Sequence, residues 1–433
     1  MQDDFAAVTR FSTSQFLARR RMVFAVAYLG YAACYLVRNN VAVVSEVLTH
    51  EMGWTPVEIG GILTGFTMSY GVGKLVMGVV VDRLRLRNTF AVGIGLSALI
   101  CVAMAFMRDR TALTAALVAI GLLQGACAPA ALAMLGAWYP PASRGSRVAI
   151  WNSSQNLGAA ALPMIVSGGL ALTGPNDWTI GFWLPGLIAL VFAVFSYRFG
   201  GDRPWQESMP TLSEVFGRDA LPQLNVPPEV SYWRLVWVHV IGNRTLAVLG
   251  LLNALLYLLR FGVLNWIPIF EVGQQGLTPY EASLTMSAFE WGAIPGALAF
   301  AWLAARWPTR NAACAAAAIG ILAFAILAFA LATDPSSAQA LALLVGALVY
   351  GPQVIINILT LNFVSPRAIG VAVGWVALGG YLFGAAAANL TLPRVAEGSG
   401  WFLSFALLSV TCVVCVGICL WLRRKEAELS AAG

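Results

Sequence analysis

Long apolar runs constrain the fold of this sequence more than any other feature. A helix needs roughly 20 mostly apolar residues to cross a bilayer. Twelve segments meet that need, at about 22–46, 57–82, 88–107, 112–138, 146–171, 179–199, 245–270, 281–305, 311–332, 338–363, 368–392 and 401–422. Only 11% of the 433 residues are charged, against roughly 25% in soluble domains. We therefore predict an all-α polytopic membrane protein, with these segments numbered spans one to twelve.

The longest break between spans divides them into two groups of six. It runs from Gly200 to Asn243 and contains five prolines and mixed charges, as expected of a linker outside the membrane. Two six-helix pseudo-repeats with a site between them are typical of the major facilitator fold. We predict an N-terminal segment, a first half, a linker, a second half and a tail, at 1–21, 22–199, 200–244, 245–423 and 424–433.

Basic residues between the spans predict the orientation of the chain. Of the 26 lysines and arginines, 20 fall in the termini, the linker and the loops on one side, and only Arg108, Arg110 and Arg394 fall on the other. Cytoplasmic loops carry the excess of positive charge. Both termini and the linker are therefore expected in the cytoplasm, in a protein integral to a bacterial inner membrane.

Several other classes of function are disfavoured by the sequence. The basic residues are scattered in short clusters, which argues against nucleic-acid binding. No nucleophile–base pair or metal-ligand set is visible, so we expect no enzymatic activity, cofactor or metal. Cys412, Cys415 and Cys419 lie in an apolar helix and are expected to pack there. We expect a monomer in the lipid bilayer, and the first apolar run is long enough to remain as a span.

Four ionisable residues lie inside spans: Arg38, Lys74, Arg260 and Glu290. Arg38 in YLVRN and Arg260 in YLLRF are 222 positions apart in similar local sequence. Charges at membrane depth are costly and face the interior of the bundle or a water-filled cavity. Three cations against one anion predict an anionic ligand, for which arginine offers a planar fork of donors. For Glu290, an internal salt bridge with no role in substrate binding is an equally good interpretation.

Each intramembrane cation has a tyrosine one helical turn away. Tyr31 and Tyr35 precede Arg38 by seven and three positions, Tyr70 precedes Lys74 by four, and Tyr257 precedes Arg260 by three. Residues at these spacings share a helix face. The tyrosines are predicted to line a cavity, the alternative being an interfacial aromatic belt, which lies at the ends of spans.

The loop between spans two and three carries a second charged motif. GVVVDRLRLR resembles the loop signature of major facilitator proteins, and Asp82 and Arg83 would form hydrogen bonds that latch neighbouring helices, as part of the gating machinery. In the equivalent loop between spans eight and nine, Ala305 stands where an aspartate is expected, so the second latch is degraded.

Seven blocks together resemble the organophosphate:phosphate antiporter family of the major facilitator superfamily, in family order from about residue 20 to 425. They are GYAACYLVRNN, SYGVGKLVMGVVVDR, VAIWNSSQNLG, YLLRFGVLNWIP, FEWGAIPG, VYGPQVIIN and SPRAIGVAVGWVALGGYLFG. The resemblance implies exchange of an organophosphate for inorganic phosphate by alternating access. It implies that Arg38 and Arg260 clamp the phosphoryl group. The further substrate-binding positions that it implies are Lys74, Tyr31, Tyr35, Tyr70, Gln155, Asn156, Tyr257, Glu290, Tyr350 and Tyr381.

This sequence departs from the family pattern at three places. Gln155 in WNSSQN occupies a position that is often histidine, so no proton can be carried there near neutral pH. Asn39 and Asn265 replace a basic and an acidic residue of the best-known members. An amide contact between them at a periplasmic gate is our hypothesis, and the alternative is that both face water. Span four lacks the bulky aromatic residue expected of a glycerol-3-phosphate transporter.

Two other functions remain open from the sequence. A sensor of the same fold would bind a hexose phosphate and signal through a partner kinase without transporting it. A transporter of a phosphonate, sulfonate or carboxylate would also need the arginines.

Overall fold

The twelve predicted spans are helical in the structure, a computed structural model that describes residues 13–81, 84–174, 176–216, 237–364 and 369–432. In chain order the spans are formed by Thr13–Leu36 with Asn40–Val43 and Ser45–Met52; Pro56–Val80; Leu86–Met104; Arg110–Gln124 with Cys127–Trp138; Pro141–Asn152 with Ser154–Thr173; Ile180–Phe199; Arg244–Leu264 with Ile267–Gly273; Pro279–Arg306; Asn311–Leu331; Pro335–Asn362; Ile369–Gly379, Gly380–Ala385 and Ala386–Ser399; and Trp401–Ala432. Within the described ranges, spans three to twelve are long and apolar enough to cross a membrane by themselves. Spans one and two are helices of 24 and 25 residues that carry charged side chains.

Several spans are interrupted near the middle of the bundle. Span one stops at Leu36, so Arg38 and Asn39 lie in a break between two helices. The spacing of Arg38 from the tyrosines had instead suggested a continuous helix. Span seven is similarly broken after Leu264, and span four after Gln124. Span eleven widens into a π-helical turn at Gly380–Ala385. Discontinuous helices and π turns are frequent at binding sites in membrane transporters.

The two halves meet mainly along three pairs of elements. Span two packs on span eleven, span five on span eight, and Ser45–Met52 on Ile267–Gly273. We call the side of the bundle that carries both termini and the linker the proximal side, and the opposite side the distal side.

Four hydrogen bonds of the described residues connect the halves, and all four lie at the middle or the distal end. They join Asn39 to Asn265, the Val57 amide to Glu397, Asn156 to Glu290, and Ser287 to the Ala160 carbonyl. The structure is therefore closed on the distal side of the site.

The start of span two and the start of span eight show the pseudo-repeat directly. Thr55 and Thr278 each begin a helix with proline at its first position and glutamate three residues on, at Glu58 and Glu281. Each threonine hydroxyl accepts from the glutamate amide while the glutamate carboxylate accepts from the threonine amide, which satisfies two backbone donors at each helix end. The same capping-box sequence therefore determines where the second helix of each half begins on the distal side.

Part of the linker and one predicted latch lie outside the described residues. Asp82 and Arg83 are not described, and neither are residues 217–236. The described linker begins with a 3₁₀ turn at Pro204–Glu207, whose Glu207 pairs with Arg19 at 2.8 Å. The latch and the boundaries of the five predicted regions remain predictions.

Candidate substrate-binding site

A narrow cavity lies between the halves at the level of the helix breaks. It is lined by Tyr35, Arg38, Asn39, Val43, Leu63, Phe66, Thr67, Ala159, Leu162, Pro163, Arg260, Phe261, Leu264, Asn265, Met286, Glu290, Tyr381 and Asn389. Its volume of about 30 Å³ has room for roughly two water molecules. The cavity must therefore widen before it admits a small organic anion.

Arg38 enters the cavity from the first half and is surrounded by aromatic rings. Its guanidinium carbon lies 3.9 Å from the ring centroid of Tyr35 and 4.4 Å from that of Tyr70. Its Nε donates to Oε1 of Gln124 at 2.9 Å, and the Nε2 of that amide donates to the Cys34 carbonyl at 3.0 Å. Cation–π contacts and a neutral amide hold this guanidinium without neutralising its charge.

Gln124 was missed in the sequence analysis. It is a fully buried amide at the end of the helix Arg110–Gln124, inside an otherwise apolar run. A single amide in such a run is a usable signal, because a buried polar group requires a partner. Here the partners are the guanidinium of Arg38 and the carbonyl oxygen of Cys34, which lies just before the break in span one.

Arg260 enters from the second half and has an acidic partner. Its Nη2 lies 3.4 Å from Oε1 of Glu290, and its guanidinium carbon lies 4.4 Å from the ring centroid of Tyr350. Tyr350 and Asn156 each donate to Oε2 of Glu290 at 2.8 Å. Glu290 therefore has a structural partner, as one of the two interpretations expected, and it also connects the halves through Asn156.

Three tyrosines from different spans form a connected cluster on the proximal side of the arginines. The Tyr381 ring lies 5.0 Å from the Tyr70 ring and 5.0 Å from the Tyr257 ring, both in edge-to-face geometry. Lys74 Nζ lies 5.9 Å from the Tyr381 ring centroid. The π-helical turn of span eleven thus places Tyr381 between the halves, where it contacts a tyrosine from each.

The remaining predicted residues lie beside the cavity rather than in its wall. Tyr31 packs on Trp151 with ring centroids 4.6 Å apart. The Tyr35 hydroxyl donates to Oε1 of Gln155 at 2.9 Å. The cavity is lined by five of the twelve predicted substrate-binding residues, namely Tyr35, Arg38, Arg260, Glu290 and Tyr381, whereas Tyr31, Tyr70, Lys74, Gln155, Asn156, Tyr257 and Tyr350 stand outside its wall.

Asn39 and Asn265 are in contact at the distal end of the cavity. Asn39 Nδ2 donates to Oδ1 of Asn265 at 3.4 Å, and Asn265 Nδ2 donates to Oδ1 of Asn389 at 2.9 Å. The amide contact suggested by the sequence is thus present and extends to span eleven. A role of this amide chain in gating remains a prediction.

A charge pair in place of the first amide contact tests that role. We expect the double substitution Asn39→Lys with Asn265→Asp to stabilise the distal-closed state, because a hydrogen bond between charged groups at this part-buried site is stronger than the neutral amide bond that it replaces. Each single substitution should destabilise that state, since it buries a charge without a partner. Labelling of cysteines introduced on the distal side measures the closed fraction, and equal labelling of wild type and double mutant would refute the gate assignment.

The cavity is electrostatically prepared for an anion. Arg38 and Arg260 in its wall and Lys74 beside it, against Glu290, leave two positive charges in excess. Arg38 Nη2, Arg260 Nε and the Tyr70 hydroxyl are buried and have no hydrogen-bond partner among the described residues. A buried donor without a partner costs about 1–3 kcal/mol. A tetrahedral oxyanion offers several acceptors to such donors and balances the charge.

Comparison with known proteins agrees with this fold. Residues 27–388 match the Major Facilitator Superfamily, and the chain belongs to that superfamily of membrane transporters. It is 26% identical to the phosphoglycerate transporter protein of Salmonella typhimurium, covering 93% of this chain and 88% of the relative. It is 28% identical to the hexose-6-phosphate:phosphate antiporter of the same organism, covering 91% and 88%. The resemblance seen in the sequence blocks is confirmed.

Two further comparisons bear on function and on fold. The membrane sensor protein UhpC of Escherichia coli is 27% identical, covering 90% of this chain and 89% of the sensor. A solved bacterial homologue of the human lysosomal transporter Spinster, in an inward-facing and unoccupied conformation, superposes with a TM-score of 0.76. It covers 95% of this chain and 98% of its own at 15% identity, so this likeness concerns the fold alone.

Proposed function

We propose that this protein is a secondary antiporter that exchanges a small organophosphate for inorganic phosphate by alternating access. The observation that carries the proposal is the pair of buried arginines, one from each half, that reach one cavity with unpaired donors. The relatives named as organophosphate transporters and antiporters support the same substrate class. The excess of two positive charges matches a phosphomonoester, which carries about −1.5 to −2 near neutral pH.

The two arginines have different tasks in this proposal. Arg38 has no acidic partner among the described residues and is free to bind the phosphoryl group first. Arg260 is held by Glu290 and has to exchange that carboxylate for the phosphate oxygens. When it does, Glu290 keeps its bonds to Tyr350 and Asn156, the second of which belongs to the other half. Substrate binding is thereby linked to the contact between the halves.

The orientation proposed from the basic residues places the proximal side in the cytoplasm. The structure, closed on its distal side, would then open its cavity toward the cytoplasm first. Exchange follows if the halves rock about the bound anion so that the distal contacts break as the proximal ends close.

Exchange of labelled phosphate in proteoliposomes tests the function. Vesicles loaded with phosphate should take up external labelled phosphate, and unloaded vesicles should not, because an antiporter needs a counter-substrate. Glycerol 3-phosphate, glucose 6-phosphate, 3-phosphoglycerate and a phosphonate, added in competition, would identify the organic substrate. Uptake that is equal with and without internal phosphate would contradict antiport.

A sensor is the second candidate, because UhpC is as similar to this chain as several antiporters are. A sensor should bind the organophosphate and show little flux. Binding of glucose 6-phosphate without phosphate exchange in the same proteoliposomes would therefore favour the sensor over the antiporter.

A further inference from the structure

Glu271 is a buried acidic residue that the substrate site does not use. It lies in the helix Ile267–Gly273 at the distal end of span seven and has no solvent-exposed surface. Both of its carboxyl oxygens lack a hydrogen-bond donor among the described residues. No arginine or lysine among those residues forms a salt bridge with it. A buried carboxyl group in this condition requires a physical explanation.

The elements packed on the helix of Glu271 carry acids and one histidine at their distal ends, and no arginine or lysine there. Its helix contacts Ser45–Met52 of the first half and the distal part of span eight. Phe270 beside it packs on Phe329 and Phe405, in spans nine and twelve. The titratable groups at the distal ends of these elements and of the neighbouring loop are Glu46, His50, Glu51, Tyr280, Glu281 and Asp334. His50 is already paired with Glu46 at 3.1 Å.

This environment favours the neutral form of the carboxyl group. Burial of an unpaired carboxylate costs several kcal/mol even after relaxation, so such a group takes up a proton instead. The hydroxyl of Thr285, also fully buried, lies on span eight and donates its hydrogen to the Glu281 carbonyl at 3.1 Å. The same hydroxyl is within hydrogen-bonding reach of Glu271. It has a single hydrogen, so it can serve the Glu281 carbonyl or the carboxylate of Glu271, but not both at once.

The position of Glu271 connects its protonation to the distal gate. Its helix is one of the elements through which the halves meet, and Ser45–Met52 lies on the opposite side of that contact. If the halves separate there, the helix Ile267–Gly273 no longer packs on Ser45–Met52, and water reaches the carboxyl group of Glu271. The closed state then binds a proton that the open state releases.

We propose that Glu271 is a proton-binding site whose protonation stabilises the distal-closed state. One proton passes from the distal aqueous phase to the carboxylate as the halves close, and returns as they open. The closed state is therefore favoured at acid pH and is lost as the pH rises. The open-to-closed ratio should change by up to about tenfold per pH unit, the limit for a single proton.

Spin-label distances across the distal contact test the proposal in the full-length protein in proteoliposomes. Labels at Glu51→Cys and Gln274→Cys, both exposed and on opposite halves, report separation of the two helices. Cys314 is replaced by alanine, and the other six native cysteines are buried. We expect a short distance at acid pH and a growing long-distance fraction as the pH rises. Glu271→Gln, which mimics the protonated acid, should give the short distance at every pH.

Two variants separate this effect from other titrating groups. His50→Gln and Glu281→Gln should keep the wild-type response to pH, because neither removes the buried acid. A pH response that persists in Glu271→Gln, or a wild type without one, would overturn the proposal. Because the distances are measured without substrate, a failure of phosphate exchange leaves this result unaffected and remains a separate finding.

Discussion

Replacement of Arg38 by lysine is expected to lower phosphate exchange by about 100-fold, since one or two hydrogen bonds between charged groups are lost at about 1.5–3 kcal/mol each. Lysine keeps the positive charge but not the fork. It cannot donate to Gln124 and to two phosphate oxygens at once while it lies against the rings of Tyr35 and Tyr70. Initial rates of labelled-phosphate uptake into phosphate-loaded proteoliposomes measure the effect.

Arg21→Lys is the matched control for that substitution. Arg21 lies in the same helix, is exposed, and its Nε reaches only the Leu17 carbonyl at 3.5 Å. This variant should exchange phosphate at the wild-type rate. Wild-type exchange in Arg38→Lys as well would show that Arg38 does not hold the phosphoryl group, and the proposed clamp would have to be abandoned.

The sequence was sufficient for the architecture because each of its signals is local. Twelve apolar runs predicted twelve helices, and the offset between Arg38 and Arg260 predicted two related halves that bring those arginines together. Both predictions agree with the structure, which places the two side chains in one cavity. The high cost of charge at membrane depth made these residues visible without any knowledge of the fold, since an unpaired intramembrane cation requires a partner.

The sequence did not predict the helix breaks, because they depend on tertiary packing. The segment LVRNNVAVV contains no proline or glycine, the residues that most strongly disfavour a helix interior. The break is supported by contacts from elsewhere in the chain: Gln124 donates to the Cys34 carbonyl, and Asn40 Nδ2 donates to the Gly181 carbonyl at 2.7 Å. The pairing of Arg260 with Glu290 also depends on tertiary packing, since 30 positions separate the two residues and only the fold brings them into contact.

The distal closure also explains why one glycine and its neighbour should behave differently. Gly60 lies on span two against span eleven, and a Cβ there would overlap the carbonyl oxygen of Asn389, a backbone atom that has no rotamer to move away. Gly61 is next to it on the same helix, and a Cβ there meets nothing within 4 Å. Asn389 also ends the amide chain from Asn39 and Asn265, so the contact lies beside the residues that we predict to form the distal gate.

Gly60→Ala is therefore expected to destabilise the distal-closed state by about 1–3 kcal/mol, the usual cost of overpacking. That corresponds to a roughly 5- to 150-fold increase in the open-to-closed ratio, measured by the distance between labels at positions 51 and 274. Phosphate exchange should fall because the transporter then returns slowly to the closed state. Gly61→Ala gains the same helix propensity, about 1 kcal/mol, so that contribution cancels when the two variants are compared. Equal distances in both variants would show that the approach of Gly60 to Asn389 does not limit closure, and that the amide chain and the contacts of span five with span eight hold the distal side closed.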